Sequence, residues 1–91
     1  MQTRADRIRA ALEARFAPLA LEITDESHRH AGHAGARPGG ETHYSVVLVS
    51  PAFAGMGRVA RSRAVHEALA GEFAAGLHAL SLTLRAPEEL G

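Results

Sequence analysis

Ninety-one residues, 46% of them hydrophobic and 22% charged, suit one folded domain. They exclude both a chain disordered over most of its length and one that encloses a large substrate cleft. Ten basic residues balance ten acidic ones, so no whole-molecule field draws in nucleic acid, and only local patches can do so. Every basic residue is Arg and there is no Cys, which removes a Schiff-base amine, a disulfide, a thiol nucleophile and a self-contained iron–sulfur site.

Ala5, Ile8, Leu12 and Phe16 recur at helical spacing and predict an amphipathic helix over residues 3–16, capped by Thr3 and stopped near Pro18. The same opening stretch is too charged for a secretory signal, and Asp6 and Glu13 speak against a mitochondrial transit peptide. No apolar run approaches the roughly 18 residues of a membrane span. The expectation is a soluble, cytoplasmic chain with no membrane partner. "LALEITDE" alternates, with Leu19, Leu21 and Ile23 on one side, and reads as a half-buried strand. Residues 27–41 are small, polar and Gly-rich, and read as a loop. "THYSVVLVS" is β-branched and apolar enough for a strand covered on both faces.

"PAFAGMG" is a turn-rich connector. Val65, Ala68, Leu69 and Phe73 then mark a helical crossover that Gly76 stops. "LHALSLTL" alternates again, with His78, Leu80, Leu82 and Leu84 on one face, and residues 86–91 form a short tail with one helical turn. A crossover with a helix joins parallel strands, whereas the loop returns the chain antiparallel. The second and third strands then begin at the same end of the sheet. His43, His78 and the loop histidines His28, His30 and His33 are expected to gather at that edge.

Each feature has a plain reading beside the functional one. "HRHAGH" has the imidazoles to chelate Zn or Ni, yet by itself it also reads as a solvated loop. His78, beside three leucines, also fits a core-edge histidine bonded to a carbonyl, and His43 a hydrogen bond within the sheet. Arg58, Arg61 and Arg63 open the crossover helix as either a solvated shoulder or a phosphate contact. Ser27 and Ser62 have no nucleophile elbow and no acid partner, so the chain is read as a non-enzyme.

"LEITDESHRH", "GGETHYSVVLVS", Phe53 and Gly55, "RVARSRAVHEAL" and "GLHALSLTLRAPEE" together resemble the BolA family across nearly the whole chain. The resemblance implies a single domain over residues 1–91 with a fold similar to a class II KH domain. Its order is α-β-β-α-α-β, with a three-stranded mixed sheet and helices on one face. It also implies partnership with a monothiol glutaredoxin and a bridged 2Fe-2S cluster. In such pairs the glutaredoxin and glutathione supply thiolates and the BolA-like chain supplies nitrogen, so no cofactor is expected on this chain alone.

The family's C-terminal histidine, in its "HAL" motif, falls on His78. The second ligand comes from the loop, at His30 counting forward from "DES" or at His33 counting back from "GETH". His28 and His43 are then groups around the ligands. Where the family reads "RHR", this chain has Arg61, Ser62 and Arg63, so the helix histidine is missing. Some bacterial members act as DNA-binding transcription regulators through a helix-turn-helix-like crossover, which here would use Arg58, Arg61 and Arg63. A cluster partner ranks first, a DNA regulator second and an autonomous metal binder third. Homodimerisation of the apo chain stays open.

Overall fold

A computed structural model describes residues 2–26 and 42–90. The first helix, α1, spans Arg4–Phe16. Thr3 Oγ1 accepts from the Asp6 amide at 3.2 Å while Asp6 Oδ2 accepts from the Thr3 amide at 3.0 Å, a reciprocal box that satisfies two amide groups left over at the helix start. Ala17 ends the helix in the left-handed region, φ 44°, and Pro18 prevents its continuation. Ile8, Leu12 and Phe16 are buried, the stripe their spacing predicts.

Strand β1 covers Ala20–Asp25, β2 His43–Val49 and β3 Ala79–Arg85, in the sheet order β1-β2-β3. β1 and β2 are antiparallel, with Leu21 opposite Leu48 and Ile23 opposite Val46. β2 and β3 are parallel, with His43 opposite Ala79 and Val49 opposite Arg85. Their crossover holds a 3-10 turn at Pro51–Phe53, then α2, Arg58–Ala68, and α3, Ala70–Ala74. Gly55 (φ 78°) and Gly76 (φ 123°) provide the two left-handed bends before and after these helices, a conformation that costs glycine little. The order α-β-β-α-α-β and the mixed sheet are those expected.

One face of the sheet meets the helices. Tyr44, Val46 and Leu48 are buried there, flanked by Leu21, Ile23, Leu80, Leu82 and Leu84, and pack with Ile8, Leu12, Phe16, Phe53, Val65 and Leu69. On the other face Glu22, Thr24, Ser81, Thr83 and Arg85 are exposed. The expectation that β2 is covered on both faces is therefore corrected. Val47, half-buried on the face away from the helices, lies between β1 and β3, and among the described residues no second layer covers it. Leu19, expected in the buried row of β1, precedes the strand and is 67% exposed. The crossover pattern divides at Leu69 (φ −105°, ψ 13°), where the Leu69 carbonyl takes both the Glu72 and Phe73 amides.

Ser50 ties the layers at the end of β2. It is fully buried; its hydroxyl donates to the Phe16 carbonyl at the end of α1 and accepts from the Ala52 amide at 3.0 Å. Its own amide donates to the Arg85 carbonyl of β3 at 3.0 Å. The C-terminal tail turns once as a 3-10 helix, Pro87–Glu89. Among the described residues no helix is long and apolar enough to cross a membrane.

Candidate metal-binding edge

The parallel register of β2 and β3 brings His43 and His78 to one end of the sheet. The Thr42 carbonyl accepts two successive amides, His78 at 2.8 Å and Ala79 at 3.1 Å. His78 is thereby held by its backbone immediately before β3, and its ring centroid lies 5.2 Å from that of His43, the planes tilted by 53°. His43 is buried, and its Nδ1 lies 2.9 Å from Thr42 Oγ1, donor and acceptor being set by the ring's tautomer. Thr42 is fully buried.

His78, by contrast, is exposed, and its ring makes no hydrogen bond to a described residue. The core-edge reading thus holds for its backbone only; the residue itself is exposed. Imidazole coordinates metals through a neutral ring nitrogen, and a hydrogen bond on the other nitrogen of a nearby ring fixes orientation and tautomer. The exposed ring of His78 is accessible from outside the fold. The Thr42-anchored ring of His43 gives it a rigid neighbour.

The Glu26 amide donates to the His43 carbonyl at 2.8 Å, so β1–β2 pairing runs on to Glu26. Both described residues that flank positions 27–41, Glu26 and Thr42, therefore lie at the histidine edge. His28, His30 and His33, with Ser27, lie outside the described residues. Among the described residues no group of three or more His, Cys, Asp or Glu converges on one point. His43 and His78 stand as a pair, of which only the exposed His78 is open to a ligand from outside the described residues.

The arginines of α2 separate into two kinds. Arg58 and Arg63 are exposed. Arg61 is buried, and its guanidinium donates to the Met56 carbonyl at 2.9 Å, the Leu84 carbonyl at 3.2 Å and both oxygens of Glu89 at 2.6 and 3.0 Å. It also lies over the Phe53 ring, 5.7 Å from the centroid. The phosphate-contact reading of Arg61 is corrected accordingly: the side chain is buried and four of its five N–H donors are taken up within the chain. The paired guanidinium, helped by the Ala86 amide at 2.7 Å, holds the Glu89 carboxyl down to about 2. Ser62, where the family's histidine would stand, lies beside His66, whose Nδ1 is 2.8 Å from the Ser62 carbonyl oxygen and whose ring stacks on Phe73 at 5.3 Å.

Sequence reasoning missed Thr42 and the Arg61–Glu89 pair. Thr42 is one residue of a strand entry with no motif of its own, and 28 residues separate Arg61 from Glu89. Only the folded register exposes either role.

A three-stranded mixed sheet backed by helices on one face, with paired histidines at the entry of its two parallel strands, defines a small α/β domain. The chain belongs to the BolA-like protein family, whose sequence profile matches residues 12–89. It is 44% identical over 91 residues to the chloroplastic protein BOLA1 of Arabidopsis thaliana, covering 98% of this chain and 57% of that protein. It is 42% identical over 92 residues to SufE-like protein 1, chloroplastic/mitochondrial, of the same plant, covering 97% of this chain but 25% of that protein. The chain thus spans little more than half of the first relative and a quarter of the second. The solved BolA domain of SufE1 from Arabidopsis thaliana superposes with a TM-score of 0.87 at 42% identity, covering 98% of each chain.

Proposed function

We propose that this chain is an iron–sulfur assembly, trafficking or iron-regulation factor. It binds a monothiol glutaredoxin and shares a bridged 2Fe-2S cluster with it and with glutathione. The observation that carries this reading is the exposed, backbone-anchored His78 beside His43 at the edge where Glu26 and Thr42 lie. His78 is the proposed ligand from β3, and His30 or His33 the ligand from the loop. His28 and His43 hold their surroundings. When bound, such a cluster would be held on this chain by His78 and the loop histidine through neutral ring nitrogens, with the glutaredoxin and glutathione supplying thiolates.

The residues of this chain then do three things. Thr42 fixes the entry of β3 through its carbonyl and the ring of His43 through its hydroxyl, so that the backbone of His78 is held in place. His43 excludes water from one side of the His78 ring. Neutral His78 binds and protonated His78 does not, so the shared state is lost in acid. The role is not catalytic. A DNA-regulator role would rest on Arg58 and Arg63 alone, because Arg61 is committed to Glu89.

Coexpression with a monothiol glutaredoxin tests the reading. The two chains are expected to copurify as a coloured complex whose visible absorption and circular dichroism differ from those of the glutaredoxin's own cluster. Recovery of the glutaredoxin with an unaltered spectrum, and of this chain without it, would contradict the proposal.

A further inference from the structure

The outer margin of β3 is a different kind of surface. In the order β1-β2-β3, among the described residues, only β2 pairs with it. The Ala79 amide and the Arg85 carbonyl both bond toward β2, so alternation turns the main-chain groups of Leu80, Leu82 and Leu84 outward. Arg61 takes the Leu84 carbonyl at 3.2 Å. Among the described residues nothing hydrogen-bonds Leu80 or Leu82 on that side. Unpaired edges of this sort are ready templates for another strand unless charge or a cover protects them.

A concavity of about 390 Å³ runs along this edge, with Leu82, Leu84 and Arg85 on the strand side and Arg58 and Ser62 on α2. Arg58 and Arg85 are exposed and make no ion pair among the described residues. The charge of Arg61 is matched by Glu89 and Glu88 offsets one more, so Arg58, Arg61 and Arg85 exceed the two carboxylates of this corner by one positive charge.

We infer that the edge of β3 accepts an extended acidic segment of a partner protein as a fourth strand. Its main chain pairs with Leu80 and Leu82, and its carboxylates meet Arg58 and Arg85. Main-chain pairing supplies affinity in such additions and side-chain complementarity supplies specificity. A second copy is the weaker occupant, since β3 of this chain, "ALSLTLR", brings no carboxylate to the groove. The arginine end of the site lies away from the histidine edge: seven residues of extended chain put Arg85 about 23 Å from His78. Failure of the cluster reading would leave this inference standing, and the reverse.

The test is an NMR titration of the full ¹⁵N-labelled chain at low salt. The probe is a blocked octapeptide alternating Glu and Val; one control replaces Glu by Lys and another N-methylates alternate amides to remove the pairing groups. The Glu peptide is expected to shift the Leu80 and Leu82 amides and slow their exchange with solvent, while neither control does so. Arg58→Glu with Arg85→Glu is expected to weaken binding by about tenfold or more. Four results would overturn the inference: no shift at millimolar Glu peptide, equal binding of the N-methylated peptide, concentration-dependent shifts at Leu82 without peptide, which would mark self-association, or the same shifts with oligothymidine.

Discussion

Ser50→Ala removes one oxygen and almost no volume, so its cost isolates the hydroxyl that joins α1 to the turn after β2. In the folded protein that hydroxyl donates to the Phe16 carbonyl, an acceptor left over at the end of α1, and accepts from the Ala52 amide at the start of the 3-10 turn. Both Ser50 and Phe16 are buried, so water does not freely replace the lost partner. One hydrogen bond contributes about 1 kcal/mol net, and a buried group left unpaired costs about 1–3 kcal/mol. Counting the carbonyl as stranded and the more accessible Ala52 amide as partly rehydrated gives a loss of about 2–3 kcal/mol.

For a domain of this size each kcal/mol moves Tm by about 4–8 °C, so the variant should melt roughly 8–24 °C lower. Urea unfolding followed by far-ultraviolet circular dichroism should show a lower midpoint at unchanged slope. Ser81→Ala, on the exposed face of β3, is the control and should change stability by less than about 0.5 kcal/mol. A Ser50→Ala variant as stable as Ser81→Ala would refute the view that this hydroxyl ties the layers.

Two further outcomes follow from the charged groups. The folded-state pKa of Glu89 is held down to about 2, and that of Glu72 is lowered by hydrogen bonds from Arg7 and Arg4. Each therefore contributes stability that is present above its ordinary value near 4.5 and lost as the pH falls through the folded-state value. The Tm of the native chain should drop between about pH 5 and pH 2, and Glu89→Gln should flatten that limb; an identical acid profile would contradict the pairing with Arg61. Arg61→Ala should lower Tm clearly, whereas Arg58→Ala and Arg63→Ala should leave it nearly unchanged, as calorimetry of the three variants would show.

The sheet was legible because its information is local and repeated. Alternation in "ALEITD" and "ALSLTLR", a turn-rich segment before β2 and a helical segment before β3 suffice to set pairing direction, and pairing direction brings His43 beside the entry of β3. Coverage was less legible. "HYSVVLV" has the apolar run of a strand buried on both faces, but a central strand in a one-layered sheet gains part of the same shielding from its neighbours' side chains. Leu19 continues the alternation of β1 by sequence, yet it lies outside the strand proper. Arg61 looks like its neighbours Arg58 and Arg63 because a guanidinium carries no mark of its partner; Glu89 reaches it only after the tail folds back beside β3. Thr42 was invisible for the same reason, since one carbonyl accepting two amides is a property of the register. The loop histidines His28, His30 and His33 lie outside the described residues, so the choice between His30 and His33 rests on the family resemblance.

The most direct test of the histidine ligation is pulsed electron paramagnetic resonance on the reduced complex of this chain, labelled with ¹⁵N-histidine, and an unlabelled monothiol glutaredoxin. The spectrum should show strong ¹⁵N hyperfine coupling of a nitrogen bonded directly to iron. In His78→Ala the His78 coupling should vanish while the fold, monitored by circular dichroism, persists. A labelled complex without directly bonded ¹⁵N, or a coupling pattern unchanged in His78→Ala, would contradict the assignment of His78 as the ligand this chain contributes from β3.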